Sequence, residues 1–206
     1  EYDEESGEWE LGVHIADVAS FVETGSEIDL EAERRGNSAY LPRLVLPMIP
    51  ETLSNGVCSL QEGVPRFTKS AFINLDNRGR VVGTRLARTL IHSRKRLTYL
   101  EAQALIDGDQ KLARQHTRAE PVYEDELLFA LRRADKLARI IRARRLRAGM
   151  LVLGLPEFEL VFDEEGHVID AQPEDDAYTH TIIEMFMVEA NEAVARTFSD
   201  LSLPLL

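Results

Sequence analysis

Apolar and polar positions alternate between Glu8 and Asp17. Trp9, Leu11, Val13 and Ile15 fall on one side, and Glu8, Glu10, Gly12, His14 and Ala16 on the other. A period of two predicts a strand with one buried face, and Ser6-Gly7 ahead of it is a turn signal. From Ser26 to Gly36 the order changes to a short helix, with Asp29, Glu31 and Glu33 early, Arg34 and Arg35 late, and Gly36 as its stop, which complements the helix dipole. Four prolines (Pro42, Pro47, Pro50, Pro65) and two glycines make residues 41–66 read as an ordered loop region. Strands over about residues 69–75 and 80–91 flank Asp76-Asn77-Arg78-Gly79, a hairpin signal. Thr98-x-x-Glu101 is a capping box opening a helix that Gly108 closes. A long helix follows from Glu124 to Ala148, with Leu127, Leu131, Ala134, Ala138 and Ile141 as its apolar stripe and Gly149 as its stop. A second hairpin is expected around Asp163-Glu164-Glu165-Gly166. Thr179 is expected to cap a helix through Phe198, with Ile182, Ile183, Phe186, Ala190 and Val194 buried. No internal repeat appears. The fold class is α+β, a mostly antiparallel sheet with packed helices.

Composition narrows the picture. The 206 residues are 44% apolar and 29% charged, enough to bury a core and too apolar for disorder. No run of eighteen apolar residues occurs, so no membrane span is expected. The first ten residues carry six acids and no base, unlike a signal or transit peptide. A single cysteine, Cys58, excludes an internal disulfide framework and fits a reducing compartment; a cytoplasmic location is the expectation. The net charge of −12 hides an asymmetry: residues 85–147 hold sixteen Lys/Arg against eight Asp/Glu. Such a chain can repel polyanions over most of its surface and guide one along a basic strip, or the arginines can simply decorate helix exteriors.

Several chemistries are missing. There is no Gly-rich phosphate loop, no H-E-x-x-H and no nucleophile elbow. The five histidines (His14, His92, His116, His167, His180) show no pair at ligand spacing and read as structural or solvated. Cys58 reads as a small buried residue. Asp175-Asp176 reads as an acidic pair favouring a helix N-terminus rather than as a metal site.

Residues 11–60 carry a chain of short motifs: Leu11-Gly-Val-His-Ile-Ala-Asp-Val18, then Gly25-Ser26 and Asp29-x-Glu31-Ala32. Arg35-Gly36-Asn-Ser-Ala-Tyr40-Leu-Pro42 follows, then Pro47-Met48-Ile-Pro50-Glu51 and Leu53-Ser54-Asn55-Gly56-Val-Cys58-Ser59-Leu60. In order and spacing they resemble the catalytic (RNB) domain of the ribonuclease II/ribonuclease R family, closer to ribonuclease R. Arg96-Leu97-Thr98-Tyr99, Leu155-Pro156-Glu157 and Ile183-Glu184 through Ala190-Asn191-Glu192 extend the likeness over essentially the whole chain. The resemblance implies a processive, Mg²⁺-dependent 3′→5′ exoribonuclease that hydrolyses single-stranded RNA with a free 3′ end to nucleoside 5′-monophosphates. In that chemistry carboxylate-held ions activate a water and stabilise the departing oxygen.

The sequence departs from the family at one point. The compact aspartate motif D-x-x-x-x-x-D-x-D-D, which precedes the strand bearing His14 and Asp17, has no counterpart here. Residues 1–206 are therefore expected to be a partial RNB domain, truncated at both ends and inactive alone, with most metal ligands outside it. Asp17 has two readings: a neighbour of the metal site across an antiparallel hairpin, or the end of a strand in a turn.

By the resemblance, Tyr40 stacks on the 3′-terminal nucleotide, Tyr99 lines the RNA channel, and Leu153 stands where a clamping phenylalanine is common. Arg88, Arg94, Lys95 and Arg96 form a candidate phosphate track beside Tyr99. Each tyrosine can instead be core packing, and each cation solvated exterior. The competing function is a catalytically inactive RNA-binding relative of the same fold; a weaker third is a structural or protein-binding domain. A monomer is expected.

Overall fold

A computed structural model describes residues 1–153, 158–173, 175 and 177–205. Among these residues the order is β1 (Trp9–Ala16), α1 (Glu27–Arg35), β2 (Ala39–Leu41), β3 (Leu44–Leu46), β4 (Pro65–Leu75), β5 (Val81–His92), α2 (Tyr99–Asp107) and α3 (Gln110–His116). Then come α4 (Asp125–Arg147), β6 (Phe158–Phe162), β7 (Val168–Pro173) and α5 (Tyr178–Asp200). The class is α+β with antiparallel sheets, as the sequence indicates. The motif Leu155-Pro156-Glu157 and Asp176 lie outside the described residues.

The central sheet has the order β1-β4-β5. Trp9, Leu11 and Val13 pair with Leu75, Ile73 and Ala71, so the alternation of β1 is matched on β4 and both apolar sets share a face. That face packs against Leu137 and Ile141 of α4 and Met185, Ala190 and Ala193 of α5. Ile73, Leu75 and Ile141 are completely buried, and burying each side chain contributes about 1.5–3 kcal/mol. The β4–β5 turn presses on α4. Gly79 has φ +75°, and a Cβ there would sit 2.9 Å from Ile140 Cγ2, so both backbone conformation and space demand glycine. A smaller cluster, Ala104, Leu105 and Ala113, joins α2 and α3 to the base of α4 through Leu128 and Leu131.

Several sequence expectations need correction. The loop region 41–66 contains a short hairpin, β2–β3, and a turn of π-helix, Thr52–Val57; the hairpin turns through Arg43 at φ 63°. Strand β4 starts at Pro65, a first-residue position that needs no ladder donor. An unexpected helix, α3, is capped by Asp109, whose carboxylate accepts from the Lys111 and Leu112 amides. On α4, Leu137 joins Ala138 and Ile141 in the buried set, while Leu127, Leu131 and Ala134 are only half-buried. On α5 the N-cap is Ala177, not Thr179, and Met185, Glu189 and Ala193 are buried where Ile183 is exposed.

Candidate nucleic-acid interface

Helix α2 begins where the capping box directs it. Thr98 Oγ1 accepts from the Glu101 amide at 3.1 Å, and the Glu101 carboxylate accepts from the Thr98 amide at 3.2 Å. This fixes Tyr99 as the first helical residue. Its carbonyl accepts from Thr179 Oγ1 of α5 at 2.8 Å. Its ring stacks on the imidazole of His180, with centroids 3.7 Å apart and planes 25° from parallel. His180 Nε2 in turn lies 2.9 Å from Asp175 Oδ1. Tyr99 remains 41% exposed. It opens on a cleft of about 1090 Å³ whose lining includes Gln61, Glu62, Arg96, Arg118 and Asp175.

The four cations of the expected phosphate track divide. Arg88 Nε lies 3.3 Å from Asp17 Oδ2, Arg94 reaches Glu124 and Glu126, and Lys95 bonds Glu62 at 3.2 Å and the Glu120 carbonyl at 2.7 Å. The acids holding them are distant in sequence, which is why charge counting alone overstated the track. The Arg96 amide, with the Lys95 ammonium behind it, holds the Glu62 carboxyl below its ordinary range, so this pairing persists near neutrality. Arg96 is exposed in the cleft and, among the described residues, has no acidic side chain at ion-pair distance. The same holds for Arg118, which sequence reasoning missed because it lies in a loop with no motif. The cleft thus offers two guanidinium groups beside an aromatic ring.

Tyr40 lies in the middle of β2, opposite Val45, and is 79% exposed. The hairpin is anchored at its base, where Arg35 Nη1 donates to the Pro47 carbonyl and the Met48 amide to Ser38 Oγ. Neither tyrosine is sealed in a hydrophobic interior, though Tyr40 is not among the residues lining the Tyr99 cleft. Leu153 is 78% exposed, outside any helix or strand.

Asp17 ends β1. Its amide donates to the Phe67 carbonyl, and its carbonyl accepts from the Ser20 amide in the turn that follows. Its buried carboxylate accepts from Ser20 Oγ at 2.8 Å and lies 3.3 Å from both Lys69 Nζ and Arg88 Nε. The Ser20 hydroxyl, followed by Lys69 and Arg88, holds the Asp17 carboxyl below its ordinary value. His14, on the other face of β1, shares a 2.7 Å hydrogen bond with Ser70 Oγ, and burial lowers its pKa, which favours neutral imidazole. Cys58 is buried as expected, and burial pushes its thiol up.

The described residues do not suit magnesium. Asp17 is committed to two cations. The other cluster, Asp163, Glu165 and His167, is largely exposed on the β6–β7 turn, includes a nitrogen donor, and spends Asp163 Oδ1 on the His167 amide at 2.8 Å.

The fold agrees with what the whole sequence matches. The chain belongs to the RNB domain family, which it matches over residues 1–206. It is 38% identical over 202 residues to ribonuclease R of Thermotoga maritima, a match covering 98% of this chain and 27% of that protein. It is 36% identical over 193 residues to the human exosome complex exonuclease RRP44, covering 93% of this chain and 19% of that protein. Among solved structures, Mycoplasma genitalium RNase R in complex with ribose-methylated single-stranded RNA superposes with a TM-score of 0.83 at 34% identity, covering 95% of this chain and 29% of that one. The chain therefore spans about a quarter of the length of the ribonuclease R proteins it matches.

Proposed function

We propose that these residues form one wall of the RNA channel of a 3′→5′ exoribonuclease that hydrolyses single-stranded RNA to nucleoside 5′-monophosphates. The observation that carries this reading is the Tyr99 cleft: an aromatic face with Arg96 and Arg118 beside it, in a chain of the RNB family. Aromatic stacking accepts any base, and guanidinium groups accept any phosphate, so such a wall grips RNA without reading its sequence. Tyr40 serves the 3′-terminal nucleotide and Leu153 makes an apolar contact without stacking. The Mycoplasma relative's complex with single-stranded RNA supports the choice of ligand.

Mg²⁺ is the expected cofactor, held by carboxylates outside these 206 residues. Hairpin register supports their placement. Glu1 and Glu10 exchange backbone hydrogen bonds, at 2.6 and 3.0 Å, and Tyr2 pairs with Trp9. Continued along β1 at that register, the sixth and seventh residues before Glu1 would face Ala16 and Asp17. Asp17, already occupied by Lys69 and Arg88, then acts as an electrostatic neighbour of the ions rather than as a ligand. We also propose that the protein works as a monomer in the cytoplasm without a membrane partner. No described helix is long and apolar enough to cross a membrane.

The test is degradation of 5′-labelled single-stranded RNA by the full-length protein, with and without Mg²⁺. Stepwise shortening from the 3′ end with release of nucleoside 5′-monophosphates is expected. RNA bound tightly but left intact with Mg²⁺ present would favour the inactive RNA-binding relative, and no RNA affinity would favour a structural domain.

A further inference from the structure

We infer that His180 is a positioning residue for the RNA contact: it backs the Tyr99 ring so that one aromatic face is presented to a nucleobase. This inference rests on the reading of Tyr99 as an RNA contact. A tyrosine at the first position of a helix has few helical neighbours to restrain it, and ordering a mobile ring on binding costs affinity. Here its surroundings remove that freedom. The Thr98–Glu101 box fixes the helix start, Thr179 Oγ1 holds the Tyr99 carbonyl at 2.8 Å, and the His180 imidazole covers one ring face at 3.7 Å between centroids. The covering ring is itself held, because Asp175 Oδ1 lies 2.9 Å from Nε2 and also accepts from the Ala177 amide at 3.2 Å. Thr179 and His180 are successive residues at the start of α5, so one helix terminus clamps both the backbone and the ring of Tyr99. Asp175 and Tyr99 both line the cleft, which places the whole stack at its edge. A base entering the cleft completes a three-layer stack of imidazole, phenol and nucleobase.

The bland alternative is that the stack only joins α2 to α5. The two roles separate in a binding experiment on the full-length protein, with EDTA present to prevent cleavage and a 5′-fluorescein-labelled oligoadenylate with a free 3′ end as the probe. His180→Ala is expected to weaken binding roughly fivefold to tenfold, and His180→Phe, which keeps an aromatic face, to restore it to within about twofold. Melting temperatures should stay within about 2 °C of the parent. Combined with Tyr99→Ala, His180→Ala should add nothing, since it acts through that ring. His180→Ala binding as tightly as the parent while Tyr99→Ala binds weakly overturns the positioning role alone. A phenylalanine variant as weak as the alanine variant, additive losses in the double variant, or an affinity loss that tracks melting temperature also overturns it. If Tyr99→Ala binds normally, the channel contact falls and the inference with it. Normal RNA binding without hydrolysis contradicts only the exonuclease reading.

Discussion

Tyr123 donates its phenolic hydrogen to Glu101 Oε1 at 2.9 Å, so the carboxylate that closes the α2 cap also ties that helix to the segment ahead of α4. Glu101 is completely buried and accepts at both oxygens. Glu101→Ala removes half of the capping box, orphans the phenol and opens a void. It should cost about 2–3 kcal/mol in denaturant unfolding.

The same pair sets an alkaline limit. Burial, then the Glu101 carboxylate, pushes Tyr123 from 10.0 up to about 12. The unfolded phenol ionises first, so this contribution is intact below about pH 10 and is lost as pH rises toward 12. Tyr123→Phe should flatten the melting-temperature profile over that interval while lowering stability at neutral pH by about 1 kcal/mol.

Acid acts at Asp17. The Asp17 carboxyl is lowered from 3.8 by Ser20 first, then by Lys69 and Arg88. The unfolded carboxyl takes up its proton first as pH falls. The contribution is thus present above 3.8 and disappears as pH drops through the lower folded value. Asp17→Asn should make the acid-side slope in thermal melts shallower, the other lowered carboxyls keeping the remainder. If the full-length protein hydrolyses RNA as proposed, the same change should also raise the Mg²⁺ concentration for half-maximal hydrolysis; normal folding with unchanged Mg²⁺ dependence would remove Asp17 from the neighbourhood of the ions.

Much of this framework is legible in the sequence because its determinants are local. The period of two in β1, the capping box at Thr98 and the charge order of α1 each lie within one element. What escaped depends on distant partners. Glu189 was not foreseen as a core position of α5, because a buried carboxylate there makes sense only with Arg144 and Arg145 of α4 bonded to it. Thr179 was read as a cap, yet its hydroxyl is spent on the Tyr99 carbonyl, a bond across eighty residues. The β2–β3 hairpin was hidden by strands of three residues and a turn through Arg43 rather than glycine. The candidate site divides the same way: Tyr40, Tyr99 and Arg96 sit in motifs, whereas Arg118 reaches the cleft and His180 reaches the Tyr99 ring only through the fold.

The Glu189 cluster yields a stability expectation. The carboxylate is fully buried, and Arg145 bonds it at 2.8 Å while also reaching Glu192 at 2.8 Å. Glu189→Ala leaves two largely buried guanidinium groups without their shared acceptor, a loss of about 3–5 kcal/mol. Equilibrium unfolding of the variant measures it, and a change under about 1 kcal/mol would show that the arginines find other partners.

Arg96 and Arg118 can be separated from the paired cations by salt. If each meets one phosphate of a single strand, Arg96→Ala and Arg118→Ala should each reduce the slope of log affinity against log salt by about 0.7. Arg94→Ala, which removes a cation already shared by Glu124 and Glu126, should leave the slope unchanged.

In the proposed channel, RNA runs along this wall with its 3′ end toward Tyr40 and its body past Tyr99. Photo-crosslinking tests it directly. The full-length protein is irradiated in EDTA with single-stranded RNA carrying 4-thiouridine at the 3′ end or a few nucleotides inward, and the adducts are mapped by mass spectrometry. The expected result is attachment at or beside Tyr40 from the terminal position and at or beside Tyr99 from an inner one. Efficient crosslinking confined to other surfaces, with neither tyrosine's peptide modified, would contradict it.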